Sequence, residues 1–337
     1  MRLFSPIQRT LSLLLGGLCL VAFALFSLGC STLEPQAAPQ DAAGHQSVPP
    51  DTPPGDADYY RAENGAVLGY VRYTSPIATT ALVFLHGLDD QSGWFAGMAK
   101  QLQARGYDVY LLDRRGSGIN RENRGFRSGD IDAYPTWIGD IQAFLTPLRE
   151  RYPAVFLVGA SWGGKLAYAY SIARPNTLDG LVLIAPSLHE KVQLGLFAGW
   201  TVKLKASEEP QPALPLPIEP AMHTTTPTFL DFIEHDPLRL DRASPRFFQE
   251  SGRLDAFINE HLTDNHKPTL VLLADQDQIV DNEGTLAILQ QGDPNLLEIQ
   301  VYKEQPHALQ FDAVERLVND MDAWIKKQQV KLVPVRP

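Results

Sequence analysis

Cysteine is scarce in this chain: of 337 residues only Cys19 and Cys30 carry a thiol, and both fall within or at the end of an N-terminal apolar run. Whatever folds after Cys30 has neither a disulfide nor a thiolate site to rely on. Clustered basic charge is scarce too. Lys and Arg number 29 against 39 Asp and Glu, for a formal charge of −10, the wrong sign for neutralising phosphates, so no nucleic-acid partner is expected. Metal-ligand spacing is missing as well. His86 sits in a turn with no second His or Cys at ligand spacing, reads as a structural histidine, and leaves no metal or cofactor to be expected. Large apolar residues are nearly missing from 31–58, "STLEPQAAPQDAAGHQSVPPDTPPGDAD", which cannot bury enough surface to fold and is expected to be a disordered tether.

Charge is missing in one more place. Arg2 and Arg9 precede a segment, Leu11 to Leu28, that holds no charged residue, the pattern of an export signal or membrane anchor over 1–30. Its end, "SLGC", resembles the lipobox of bacterial lipoproteins, with small Gly29 before Cys30 and Ser27 where a leucine is usual. The resemblance implies lipid modification of Cys30; an uncleaved anchor helix and simple cleavage after Gly29 are the alternatives. Each predicts an exported chain, and the first two a membrane-held one. Ser31 after Cys30, in place of an inner-membrane retention aspartate, makes an outer-membrane lipoprotein facing the periplasm the expectation.

What remains, 59–337, reads as one α/β domain. "YYRAENGAVLGYVRY" gives two alternating runs around Asn64 and Gly65, a two-residue hairpin signal. Apolar runs then alternate with helical stretches: 80–86, 107–113, 154–159, 178–186, 268–275 and 296–302. Runs apolar on both faces, with helices between them, predict a mostly parallel sheet covered on both sides. The rhythm breaks over 187–266, a Pro-rich stretch that reads as an inserted cap above the strand ends, with Phe197 and Trp200 as candidate substrate contacts. "FDAVERLVNDMDAWIKKQQ" predicts an amphipathic closing helix.

The chemistry centres on "AVFLVGASWGGKLAYAYSIA", where Gly159, Ser161 and Gly163 form G-x-S-x-G between a strand and a helix. A sharp strand-to-helix turn of this kind exposes a serine Oγ at the carboxyl end of a sheet. A hydroxyl needs a base and an orienting carboxylate to act as a nucleophile. Asp277, past the next-to-last strand, and His307, past the last, supply them in the expected chain order; Asp275 is the rival acid. Backbone donors for an oxyanion are expected at Trp162 and at Leu88, with Asp89 the alternative to Leu88.

These features together ("LHGLDDQSGWF", "DRRGSGIN", "GASWGG", "ADQDQIVD" and "QPHAL") resemble the α/β-hydrolase superfamily, in particular its monoacylglycerol lipase, lysophospholipase and serine-aminopeptidase-like group. The resemblance implies Ser161 as nucleophile, Asp277 as acid and His307 as base, acting without a cofactor on an acyl ester or lipid. The sequence departs from the group at Asp89, where glycine is frequent, and at Trp162. Tryptophan beside the nucleophile also occurs in proline iminopeptidases, so an aminopeptidase is the second expectation, with Glu208, Glu209 and Glu219 as acids for a free amine. An inactive surface-binding lipoprotein is the third. His189, His223, His235, His261 and His266 read as surface or packing residues, and Arg114 and Arg115 as turn residues near Asp113.

Overall fold

A computed structural model describes residues 47–121, 128–192 and 194–332. Eight strands form one sheet in the order β1-β2-β4-β3-β5-β6-β9-β10. β1 (Asp56–Arg61) and β2 (Val67–Tyr73) are antiparallel. β2 pairs antiparallel with β4 (Asp108–Leu112), and from there β3 (Thr80–Leu85), β5 (Ala154–Ala160), β6 (Gly180–Ile184), β9 (Thr269–Ala274) and β10 (Leu297–Tyr302) run parallel. The hairpin loop is one residue longer than expected. Ala62 N–H still bonds the Ala66 carbonyl, which leaves Glu63, Asn64 and Gly65, with Gly65 at φ 84°, the left-handed position that a three-residue loop assigns to glycine.

The buried strands explain the continuous apolar runs. Every residue of β3, β5, β6 and β9 is buried. Alternate side chains feed two separate cores: Ala81, Val83 and Leu85 join one, and Leu82 and Phe84 the other, as a two-residue period requires. Helices α1 (Ala96–Ala104) and α9 (Val314–Leu332) cover the second core, and α2 (Tyr134–Arg151) and α3 (Trp162–Ala173) the first. In α9 the expected stripe is observed, with Leu317, Val318, Met321 and Trp324 buried; Phe311 belongs to a separate short helix, α8 (Leu309–Asp312).

Between β6 and β9 the chain forms α4 (Leu196–Lys205), a two-stranded ribbon of β7 (Leu214–Pro215) and β8 (Arg242–Ala243), α5 (Pro227–His235) and α6 (Pro245–Glu260). Helix α7 (Asn282–Leu289) follows β9. The expected tether is corrected at its end. Gln91 Nε2 donates to the Ser47 carbonyl at 2.6 Å, Val48 packs on the second core, and Tyr73 Oη donates to the Pro53 carbonyl at 3.1 Å. Residues 47–58 therefore lie against the domain, because prolines free of helix or sheet obligations still leave carbonyls that side chains of the fold can satisfy. Residues 1–46, including Cys30, lie outside the described residues.

Candidate active site

Strand β5 ends at Ala160 and α3 begins at Trp162, leaving Ser161 alone in the turn at φ 52° and ψ −123°. A non-glycine residue at positive φ is disfavoured and persists only where its surroundings fix it. Here Ser161 N–H donates to the Ile184 carbonyl at 2.9 Å, and the Ser161 carbonyl accepts from the amides of Gly164 and Ser187, each at 2.9 Å. The flanking glycines are steric requirements. A Cβ on Gly159 would lie 2.4 Å from the Gly163 carbonyl oxygen, and one on Gly163 would lie 2.3 Å from those of Leu85 and His86. The G-x-S-x-G spacing is thus what lets α3 start directly against β3 and β5.

Asp277 and His307 come from the turns after β9 and β10 and meet at the same sheet edge. His307 Nδ1 lies 2.7 Å from Asp277 Oδ2, and Asp277 Oδ1 accepts the amides of Ile279 and Val280, each at 2.8 Å. Both side chains are buried. Burial alone would raise the Asp277 carboxyl, but His307 and the two amides outweigh it and hold the group below the usual carboxylate range. Burial alone would lower His307; the Asp277 charge outweighs that and raises it. With Nδ1 engaged by the carboxylate, Nε2 is the nitrogen free for proton transfer, and His307 and Ser161 line one recess. Asp275 is placed elsewhere: it is exposed, accepts the Gln305 amide at 3.3 Å and lies 3.7 Å from Lys303.

The loop after β3 completes the recess, and most of its chemistry escaped the sequence reading. Arg114, expected as a turn residue, donates from its two terminal nitrogens to the carbonyls of Gly87 and Leu88. Its guanidinium lies 5.0 Å from the Trp162 ring and 5.5 Å from Phe247. His86 is buried; its Nε2 accepts the Arg114 amide at 3.2 Å, so its proton sits on Nδ1, 3.2 Å from Asp90 Oδ1. Burial pushes His86 down to about 3, keeping it neutral, in line with the structural role expected.

Asp89 and Asp90 are both buried. Asp89 is held by His223 Nε2 at 3.1 Å and by Arg239 at 2.9 and 3.0 Å, which outweigh its burial and lower it to about 2. Asp90 is pushed up to about 7 by burial and by the Asp89 charge. His223, read from sequence as surface or packing, is buried, with its ring 5.6 Å from that of His307. Adjacent acids after a buried strand were the available signal, since buried carboxylates require partners. The partners that hold Asp89, His223 and Arg239, lie more than a hundred residues away.

A larger cavity of about 350 Å³ opens beside Ser161, Trp162 and Leu88. Phe248, Ser251 and Asp255 of α6 line it, as do Gly199, Val202 and Lys203 of α4. Trp200 does not: it is 66% exposed. Gly199, Val202 and Lys203 share one helical face, and a residue beside Gly199 points a quarter-turn or more away, so Val202 and not Trp200 lies on the cavity wall. The side chain of Phe197 lies outside the described residues. Glu208 and Glu209, offered as acids for a free amine, are bonded to Lys205 and Arg246, each at 2.6 Å, and Glu219 is exposed. None of the three lines the cavity. Among the described residues no group of His, Cys, Asp and Glu is placed to hold a metal, and no helix is long and apolar enough to cross a membrane.

Comparison with known proteins agrees with this geometry. The family described as serine aminopeptidase, S33, matches residues 77–314. Human monoglyceride lipase is 24% identical over 272 residues, covering 77% of this chain and 87% of the lipase. Escherichia coli lysophospholipase L2 is 24% identical over 237 residues, covering 63% and 68%. A soluble variant of the monoglyceride lipase of Saccharomyces cerevisiae, solved with a substrate analog, superposes with a TM-score of 0.71 at 18% identity, covering 82% of this chain and 97% of that one. The monoacylglycerol lipase of Paleococcus ferrophilus gives 0.67 at 21% identity, covering 80% and 99%. With the parallel sheet, the serine turn after β5 and a family match spanning β3 to the start of α9, the chain belongs to the serine aminopeptidase S33 family of α/β-hydrolases.

Proposed function

We propose that this protein is a serine hydrolase of lipid-like carboxylic esters. The observation that carries the reading is that His307, buried and 2.7 Å from the Asp277 carboxylate, lines one recess with a serine held at positive φ. Ser161 Oγ attacks the ester carbonyl while His307 Nε2 takes its proton, and the Asp277 charge stabilises the imidazolium that forms. The amide of Trp162, first in α3, has no intrahelical acceptor and is aimed by the helix start. With the amide of Leu88 it holds the developing oxyanion. His307 then gives the proton to the leaving alcohol, water enters, and a second passage through the same states releases the acid. No step calls for a cofactor.

The lipid-like substrate rests on the monoglyceride lipases and lysophospholipases among the relatives and on the largely apolar wall of the cavity, which includes Leu88, Val202, Ile218, Phe248 and Ile279. The insertion over 187–266 acts as a cap, since it supplies most of that wall. The N-terminal segment completes the proposal: export, lipid modification at Cys30 and attachment to the outer membrane, facing the periplasm, would keep the domain beside a supply of acyl lipids. Labelling by a fluorophosphonate, with a monoacylglycerol and lysophospholipid panel run on wild type and Ser161→Ala, tests the reading. Labelling and turnover that both vanish in the variant are expected. Turnover that survives Ser161→Ala would sink the assignment, and an aminoacyl amide cleaved in preference to every ester would replace it with the aminopeptidase.

A further inference from the structure

The cavity beside Ser161 is not apolar throughout. Lys165, one turn after Ser161 on α3, is 1% exposed, and its Nζ lies 2.5 Å from Glu190 Oε1 and 2.7 Å from Asp255 Oδ1. All three residues line the cavity. Each carboxylate is about a third exposed and spends one oxygen on Lys165. Ser187 Oγ adds a bond to the same Glu190 oxygen at 3.1 Å, so the second oxygen of each acid is the one available to a ligand. The placement is specific to the reaction. His307 lines the neighbouring recess and not this cavity, while Ser161 and Leu88 line both. A leaving alcohol must sit on the side of the histidine that protonates it, so the cavity takes the acyl half of the substrate.

We propose that this cavity is a binding site for a hydroxylated acyl chain, whose hydroxyl donates to Glu190 or Asp255 within one helical turn of the nucleophile. This rests on the hydrolase reading and adds the substrate class. A plain alkyl chain would fit the apolar part but would strip water from two carboxylates and return no hydrogen bond. A hydroxyl returns one. An ammonium group would also donate, but it would enter a cluster already carrying the Lys165 charge, with Lys203 on the same wall; the four charges sum to zero, which favours a neutral donor.

The test compares kcat/KM for methyl esters of hexanoic acid, of its hydroxylated isomers and of aminohexanoic acid. In wild type at least one hydroxyhexanoate should exceed hexanoate by about ten- to a hundredfold, the worth of one hydrogen bond to a charged group. Asp255→Leu and Glu190→Leu should each shrink that ratio, lowering hydroxyhexanoate turnover more than hexanoate turnover. If either single variant fails to fold because Lys165 loses a partner, the triple replacement Lys165→Met, Glu190→Leu, Asp255→Leu removes the charges together, which proteins frequently tolerate. It should then prefer hexanoate.

Wild type that prefers hexanoate or the aminohexanoate would overturn the inference and leave the hydrolase reading intact. Equal losses on all esters in the folded variants would also overturn it, by showing that the charged trio is structural. Failure of wild type to cleave any ester would overturn both readings.

Discussion

Replacing Arg114 by methionine should cripple turnover without dislodging substrate, because the guanidinium acts through the peptide it holds. The two guanidinium nitrogens bond the carbonyls of Gly87 and Leu88. In a planar trans peptide the carbonyl of one residue and the N–H of the next point in opposite directions. Pulling the Gly87 carbonyl toward Arg114 therefore drives the Leu88 amide away from it, and Gly87 is packed so closely on Ser161 that a Cβ there would lie 3.0 Å from the serine Cβ. The proposed oxyanion donor is thus aimed from behind by a half-buried cation. Loss of a whole oxyanion donor costs about 10²–10³ in kcat, or about 2.7–4 kcal/mol. Arg114→Met leaves the donor present but held from one side only, so a loss of about ten- to a hundredfold in kcat is expected, with KM for a short ester changed little. Affinity for a boronic acid that mimics the tetrahedral intermediate should fall in step with kcat. Arg114→Lys should recover only part, since a point charge cannot bridge two carbonyls at once. A variant with wild-type kcat, or one whose kcat loss is not matched by the boronic acid, would refute this account.

Three further outcomes follow from the site. Asp277→Asn should lower kcat by orders of magnitude, whereas Asp275→Asn, on an exposed group facing Lys303, should cost little; steady-state rates on one ester rank them, and the reverse order would transfer the orienting role to Asp275. The low-pH limb of kcat/KM should have its midpoint above the ordinary 6.5 of histidine, because His307 must be neutral to act and Asp277 favours its protonated form. In Asp277→Asn burial acts without the opposing charge, so the midpoint of the residual activity should move down; Asp90→Asn serves as control, since Asp90, pushed up to about 7, also faces His307. Trp200→Ala should leave the ratio of long- to short-chain ester rates within about twofold, while Phe248→Ala on the cavity wall should change it.

Much of this was legible because the signals were local. Each of the six runs named from sequence is a strand whose ends shift by two residues or fewer; five are buried throughout, whereas β10, at the sheet edge, leaves Ile299 and Val301 exposed, so its run does not mark a strand covered on both faces. The glycines around Ser161 announce a tight turn, and Asp277 and His307 follow strands of the same sheet, so topology carries them to one edge. What was not legible depends on partners distant in sequence. Helical phase alone could not say that Val202 rather than Trp200 meets the cavity, because α4 is apolar on more than one face. Lys165, Glu190 and Asp255 come from three separate segments, and no spacing links them. The prolines near residue 50 looked like tether because composition registers the missing apolar side chains and not the carbonyls that Gln91 and Tyr73 capture.

Asp89 shows how a charge buried in the loop after β3 can be absorbed and put to use. A carboxylate in a buried turn beside Ser161 would be costly alone. Arg239 neutralises it and His223 hydrogen-bonds it, both from the insertion, and the Leu240 amide donates to the Asp89 carbonyl at 2.8 Å. The loop that carries Leu88 is therefore gripped from two directions, by Arg114 from the turn after β4 and by the insertion from the other side. Glycine at that position would leave the loop bound to the core alone. With aspartate, the insertion cannot shift at His223 or Arg239 without uncovering a buried charge next to the serine. The cavity beside Ser161 is walled instead by α4 and α6, with Val202, Phe248 and Asp255 among its lining and no member of the Asp89 network.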